Sequence, residues 1–154
     1  MSKTLIAAAT ALVGAATVAA ATAWAATPAE TVVTRQNNFK QMGRASKAIS
    51  DELRKPAADL AVIRGSAQTL ANFAPQIHHW FPRGTGPEAG ARTGALPVIW
   101  QRNAQFGNAA NQLVNATRNF QRAAASGNVG QIRAAFPAVG AACKGCHETF
   151  KGDK

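Results

Sequence analysis

The stretch that decides the fold is VGQIRAAFPAVGAACKGCHETF, Val129 to Phe150. Two patterns overlap in it. Val129, Ile132, Phe136, Val139, Cys143, Cys146 and Phe150 follow one another at steps of three or four, the apolar stripe of an amphipathic helix. Inside that stripe lies Cys143-Lys144-Gly145-Cys146-His147, the Cys-x-x-Cys-His arrangement of a covalently attached c-type haem. Each thiol adds to one vinyl group of the porphyrin, and the histidine reaches the iron from one face. On a helix, residues three and four apart project from the same side of one turn. A haem held there would lie inside a helical bundle, edge toward this helix. Pro137 predicts a bend part-way along.

These are the chain's two cysteines. Three other chemistries compete for them. A thioredoxin-like dithiol expects a strand before the motif and a helix after it, and the upstream sequence is helical. A structural zinc site takes about four ligands at set spacings, which His78 and His79 do not supply. A disulfide between positions three apart would close a very short loop and add little stability.

Three further helices precede the motif. Pro28 and Glu30 suit the first turn of a helix, and Val32, Arg35, Phe39, Met42, Ser46, Ile49 and Leu53 form its stripe. Arg35 and Ser46 are out of place in a plain core. Pro56 ends this helix. Leu60, Ile63, Ala67, Leu70, Ala74, Ile77 and Phe81 mark a second, with Pro75 inside it and Pro82 stopping it. Residues 82–97 are rich in glycine and proline and lack an apolar period, which predicts a long surface loop. Its Gly84-x-Gly86 follows no strand and does not read as a phosphate loop. Pro97 opens a third helix carrying Ile99, Phe106, Leu113 and Phe120, which runs to about Ala125. Asn115-Ala116-Thr117 lies within it and reads as a chance match to a glycosylation acceptor. Ser126-Gly127-Asn128 is the turn before the last helix. No segment alternates with period two. The expected fold is all-α: an antiparallel up-down four-helix bundle, with the haem near the C-terminal helix.

Lys3, the apolar run Leu5–Ala21 and Ala23-Trp24-Ala25 have the layout of a secretory signal peptide cleaved after about Ala25. Residues 1–25 are then a leader and residues 26–154 a single domain that does not span a membrane. Export fits the motif, because c-type haem is attached outside the cytoplasm, and a bacterial periplasm is the expected location. The chain carries 17 basic and 7 acidic residues, a formal net charge of +10, of which the leader takes one positive charge away. Such a surface suits acidic proteins or anionic lipid, or is simply solvated. Its scattered Lys and Arg, without interleaved stacking aromatics, argue against nucleic acid.

A signal peptide, four helices and a haem motif at the C-terminal end together resemble the class II c-type cytochromes, the cytochrome c′ family. The resemblance covers roughly residues 29–152. It is carried by Arg35-Gln-Asn-Asn-Phe39-Lys-Gln-Met42-Gly43-Arg44, by Ala95-Leu-Pro97-Val-Ile-Trp100 and by Cys143-Lys-Gly-Cys146-His147-Glu-Thr-Phe150-Lys151. It implies that Cys143 and Cys146 form the thioethers and His147 is the axial iron ligand. It implies that Arg35 lies by the haem propionates and that Phe39 faces the distal side of the iron. In the low-spin branch a methionine ligand occupies the position of Phe39; in cytochromes c′ the residue is apolar and the iron five-coordinate. Lys151 stands where the family commonly has arginine, keeping the charge on the proximal side but not the planar fork.

One haem c per chain is therefore the expected cofactor. Phenylalanine cannot ligate iron and offers no hydrogen-bond donor, so small neutral diatomics, nitric oxide and carbon monoxide, are the expected ligands rather than dioxygen. One-electron transfer to a redox protein partner is compatible with this, as is a homodimer of the kind common in the family. The alternative is a six-coordinate, low-spin electron-transfer cytochrome with Met42 as distal ligand. Met42 lies one turn beyond Phe39, about 4.5 Å along the axis, and is expected to pack instead. His78 and His79, at the end of the second helix, are expected at the surface. No catalytic residues are expected, since no acid-base pair accompanies Phe39.

Overall fold

The computed structural model describes residues 26–152. The leader predicted for residues 1–25 lies outside the described residues. Helix α1 spans Pro28–Arg54, α2 Leu60–Phe73, α3 Val98–Gln101, α4 Asn103–Ser126 and α5 Val129–Phe150. The four long ones form the up-down bundle that the periodicity predicts. Three of the four long helices start on a side-chain cap. Thr27 and Glu30 make a reciprocal capping box, with the Glu30 amide donating to Thr27 Oγ1 at 3.2 Å and the Thr27 amide to Glu30 Oε2 at 2.8 Å. Asp59 accepts from the amides of Ala61 and Val62, and Asn128 from that of Gln131, at the starts of α2 and α5.

Of the two prolines inside helical stretches, one sets a departure from regular helix. Pro75 has no amide proton to donate back along the ladder, and the chain tightens into a 3-10 helix over Ala74–Trp80. Pro137 is carried inside α5 without ending it. The third predicted helix is in two pieces: α3 ends at Arg102, at φ −118° and ψ 50°, and α4 begins at once. The break follows Trp100, whose indole Nε1 donates to the carbonyls of Phe81 and Pro82, both at 3.1 Å.

The core is filled from all four long helices: Ile49, Ile63, Leu70, Phe120, Ile132 and Val139 are at most 1% exposed. Burying side chains of this size contributes roughly 1.5–3 kcal/mol each. The stripe of α1 is rotated slightly from the predicted one. Val32, Arg35, Met42, Ala45, Ile49 and Glu52 are buried, whereas Phe39, Ser46 and Leu53 are half-buried. Helix α5 packs along α4, α4 against α2, and α2 against α1. Helices α1 and α5, first and last, are not packed together in the same way. Arg133 of α5 donates to the Leu53 carbonyl of α1 at 3.1 Å, about 15 Å along the axis from Cys143.

The loop over 82–97 is more ordered than its composition predicts. Thr85 and Gly86 are buried, Pro87–Ala89 makes one 3-10 turn, and Ala95 pairs antiparallel with Lys151. The Leu96 amide donates to the Phe150 carbonyl at 3.1 Å and the Gly152 amide to the Gly94 carbonyl at 2.9 Å. The loop is thus a strap from α1 to the end of α5. Gly86 sits in a close approach: a Cβ there would lie 3.1 Å from the Trp100 ring and would displace the flexible Glu88 carboxylate, 2.5 Å away.

Candidate functional site

The site residues come from opposite ends of the chain, and antiparallel packing brings them to one end of the bundle. On α5, Cys143 and Cys146 are free thiols, each half-buried at the edge of the core. Both pack against the core cluster from the apolar stripe and stay partly open. Burial pushes the Cys143 thiol above its ordinary range and Cys146, with Cys143 beside it, up to about 11. Both are thiols rather than thiolates at neutral pH, which slows spontaneous oxidation. His147 presents much of its surface to solvent, yet its ring is close enough to the protein body for desolvation, helped by the charge of Lys151, to lower its pKa. A neutral imidazole has the free lone pair a metal needs. Lys151 is exposed, and its amide donates to the His147 carbonyl at 3.1 Å.

On α1, Arg35 is 2% exposed. Its Nη1 donates to Thr85 Oγ1 at 2.9 Å, and its Nη2 donates to the Thr85 carbonyl at 2.6 Å and Thr93 Oγ1 at 3.0 Å. The guanidinium carbon lies 4.5 Å from the centre of the Phe81 ring. Desolvation lowers its pKa, and Glu88 opposes this through space without bonding to it. Arg35 is therefore a buried cation held by neutral oxygens, an arrangement that is costly unless an anion completes it. A surface hollow of about 630 Å³, lined by Gln36, Pro87 and the segment 90–94, lies beside it. None of Cys143, Cys146 and His147 lines that hollow.

Aromatic rings connect the two sides. Phe39 meets Trp80 edge-on at 5.1 Å between centroids and Phe81 at 6.2 Å. Phe81 meets Phe106 at 5.0 Å, and Phe106 meets Phe150 at 5.3 Å. The path from α1 to α5 thus runs through side chains of other elements. Met42 is 5% exposed and belongs to the core cluster. His78 and His79 are exposed, as expected; His78 lies 3.4 Å from Asn111 Oδ1. Among the described residues no three His, Cys, Asp or Glu side chains gather as a metal cluster, so the zinc alternative has no ligand set. Sequence reasoning missed Thr85, Thr93 and Trp80. Each acts through contacts at long sequence separation, which leave no periodic signal.

These residues fit a c-type haem: two thiols and a neutral imidazole on one helical turn, a helix pair left unpacked beside them, and a buried cation bonded only to neutral oxygens. Comparison with known proteins decides the class. The cytochrome C' family pattern matches residues 30–151. The chain belongs to that family. The cytochrome c′ of Pararhodospirillum photometricum is 32% identical over 127 residues, which cover 82% of this chain and 99% of the relative. Among solved structures, a cytochrome c′ described for its ligand-controlled dimer dissociation superposes with a TM-score of 0.80 at 27% identity, covering 84% of this chain and all of that one. A ferrous variant of the Alcaligenes xylosoxidans cytochrome c prime with bound NO gives 0.75 at 27% identity, covering 85% and 100%. Cytochromes c′ are haem-binding carriers whose cofactor is covalently bound haem c. Among the described residues no helix is long and apolar enough to cross a membrane.

Proposed function

We propose that the protein is a periplasmic cytochrome c′ with a five-coordinate haem, which captures nitric oxide or carbon monoxide and can carry one electron. Cys143 and Cys146 hold the haem by thioethers, and His147 is the axial ligand. Arg35 supplies the cation for a propionate, and Lys151 adds positive charge on the proximal side. The bound haem supplies an iron that can take a small diatomic ligand and alternate between two oxidation states. The chain supplies the selection. Phe39 gives an apolar distal wall with no donor of its own, and the rings of Trp80 and Phe81 pack against it. Such a wall admits small neutral gases and gives bound dioxygen no stabilising hydrogen bond. No acid-base pair accompanies Phe39 there, and the reading is of a carrier rather than an enzyme.

The observation that carries this is the pairing of a half-buried Phe39 with a core-buried Met42. A methionine that fills core space is not free to ligate. The NO complex of the Alcaligenes xylosoxidans relative supports the choice of ligand. The test is the ferric and ferrous absorption spectrum of the purified holoprotein with and without nitric oxide. A high-spin spectrum that nitric oxide changes supports an open position; a low-spin spectrum indifferent to the gas overturns it in favour of Met42.

The same proposal includes a homodimer through the outer faces of α1 and α2. A groove between them has Ala45, Ala48, Ala61 and Gly65 along its floor, the polar Gln41, Arg44, Ser66 and Thr69 among its other lining residues, and Val62, also lining it, is 38% exposed. Small residues allow a second copy to approach closely. Sedimentation of the wild type against Ala48→Glu reads the association directly.

A further inference from the structure

We propose that Trp80 is a positioning residue: it fixes the ring of Phe39 and so sets how fast a small neutral ligand reaches the distal side. This rests on the reading that Phe39 faces that side. Phe39 is half-buried, and a ring with one free flank on a helix has alternative rotamers open to it. Its nearest aromatic partner is Trp80, at 5.1 Å and 90°, the edge-to-face geometry that aromatic quadrupoles favour.

Trp80 can restrain Phe39 because Trp80 is itself immobilised. It is 8% exposed. Phe73 packs against it at 5.8 Å, and its carbonyl receives Arg35 Nη1 at 3.5 Å. The next two carbonyls along the chain, of Phe81 and Pro82, are both held by the Trp100 indole. Trp80 also closes the 3-10 segment Ala74–Trp80, so its place against α1 depends on the tightening at Pro75. Phe81, the other ring beside Phe39, is farther away at 6.2 Å and tilted. It is also occupied by Arg35, Trp100 and Phe106. An edge-to-face pair biases a rotamer population by roughly 2- to 10-fold, which is the size of effect expected on ligand entry.

The test measures carbon monoxide association with the ferrous holoprotein by stopped flow, in Phe39→Ala, Trp80→Leu, Trp80→Phe and the Phe39→Ala/Trp80→Leu double variant. Leucine keeps apolar bulk at position 80 and removes the ring, which limits the risk of unfolding. Phe39→Ala is expected to speed association most. Trp80→Leu should raise the rate roughly 2- to 10-fold, Trp80→Phe should restore it toward wild type, and the double variant should be no faster than Phe39→Ala alone. Heat unfolding of the same four apoproteins gives a readout independent of the haem, in which the Tm losses of the two single variants should not add. Trp80→Leu at the wild-type rate beside a fast Phe39→Ala overturns the proposal alone. So does a Trp80→Leu effect that persists undiminished once Phe39 is alanine. Phe39→Ala at the wild-type rate overturns the distal reading of Phe39 and the proposal with it.

Discussion

Arg35 of α1 and Thr85 of the strap are joined twice, from Nη1 to the hydroxyl at 2.9 Å and from Nη2 to the carbonyl at 2.6 Å. This pair turns a glycine- and proline-rich segment into an ordered one. The planar fork reaches hydroxyl and carbonyl together and leaves Nη2 a second proton for Thr93. Lysine keeps the charge but cannot span the three acceptors. Arg35→Lys is therefore expected to destabilise the apoprotein by about 1.5–3 kcal/mol, the range for losing hydrogen bonds to a charged group, as read by urea unfolding. Thr93→Val, which removes one acceptor, should cost less.

Much of the fold was legible because its causes are local. Pro28 and Glu30 at the first helix, and apolar steps of three and four, sit next to the residues they organise. The haem motif was legible for the same reason, being five consecutive residues. The strap was not, because Thr85 and Thr93 bond to a residue fifty or more positions away, and the Ala95–Lys151 bridge involves no pattern of either partner's neighbours. Arg35 lies between these cases. Its place on an apolar stripe showed that something must satisfy it, and only the three-dimensional arrangement showed which neutral oxygens do.

Met42 separates an open iron site from a six-coordinate one. It is buried in the core cluster at 5% exposure, so Met42→Ala should cost about 2–5 kcal/mol through lost contacts and a residual cavity. The absorption spectrum of the holoprotein should stay unchanged. A drop in Tm with an unaltered ferric spectrum is the expected result. A spectral change of ligand-loss type would assign Met42 to the iron.

Glu52 ties the end of α1 to the start of α2 and should give the protein an acid-sensitive joint. Its carboxylate receives Lys55 Nζ at 2.6 Å and the Asp59 amide at 3.0 Å. These bonds hold its pKa below the ordinary 4.5, the Lys55 bond being the larger cause. A carboxylate with a lowered folded pKa stabilises the fold above its unfolded value and loses that contribution as pH falls through the folded one. Stability should thus decline below about pH 4.5, and Glu52→Gln should flatten that part of the curve. Lys55 has its pKa raised above 10.5 by the same carboxylate, so the pair's contribution also fades as pH rises through that higher value. Urea midpoints measured across pH for wild type and Glu52→Gln test both limbs.

Gly127 joins α4 to α5 at φ +72°, in the left-handed region where a side chain is strained. Its amide donates to the Ala124 carbonyl at 3.4 Å, and the same carbonyl accepts from Arg64 Nε of α2 at 3.2 Å. The turn is therefore also a point where α2 holds the end of α4. A Cβ at residue 127 would lie 3.1 Å from Arg64 Nη2, but that guanidinium ends a flexible side chain and can shift. The backbone cannot escape as easily, because Asn128 begins α5 at once. Gly127→Ala is expected to cost roughly 1–2 kcal/mol from conformation alone, and Gly127→Asn, which tolerates this region better, should cost less. A thermal unfolding series of glycine, asparagine and alanine at this position should follow that order; if clash with Arg64 dominated instead, asparagine would be worse than alanine.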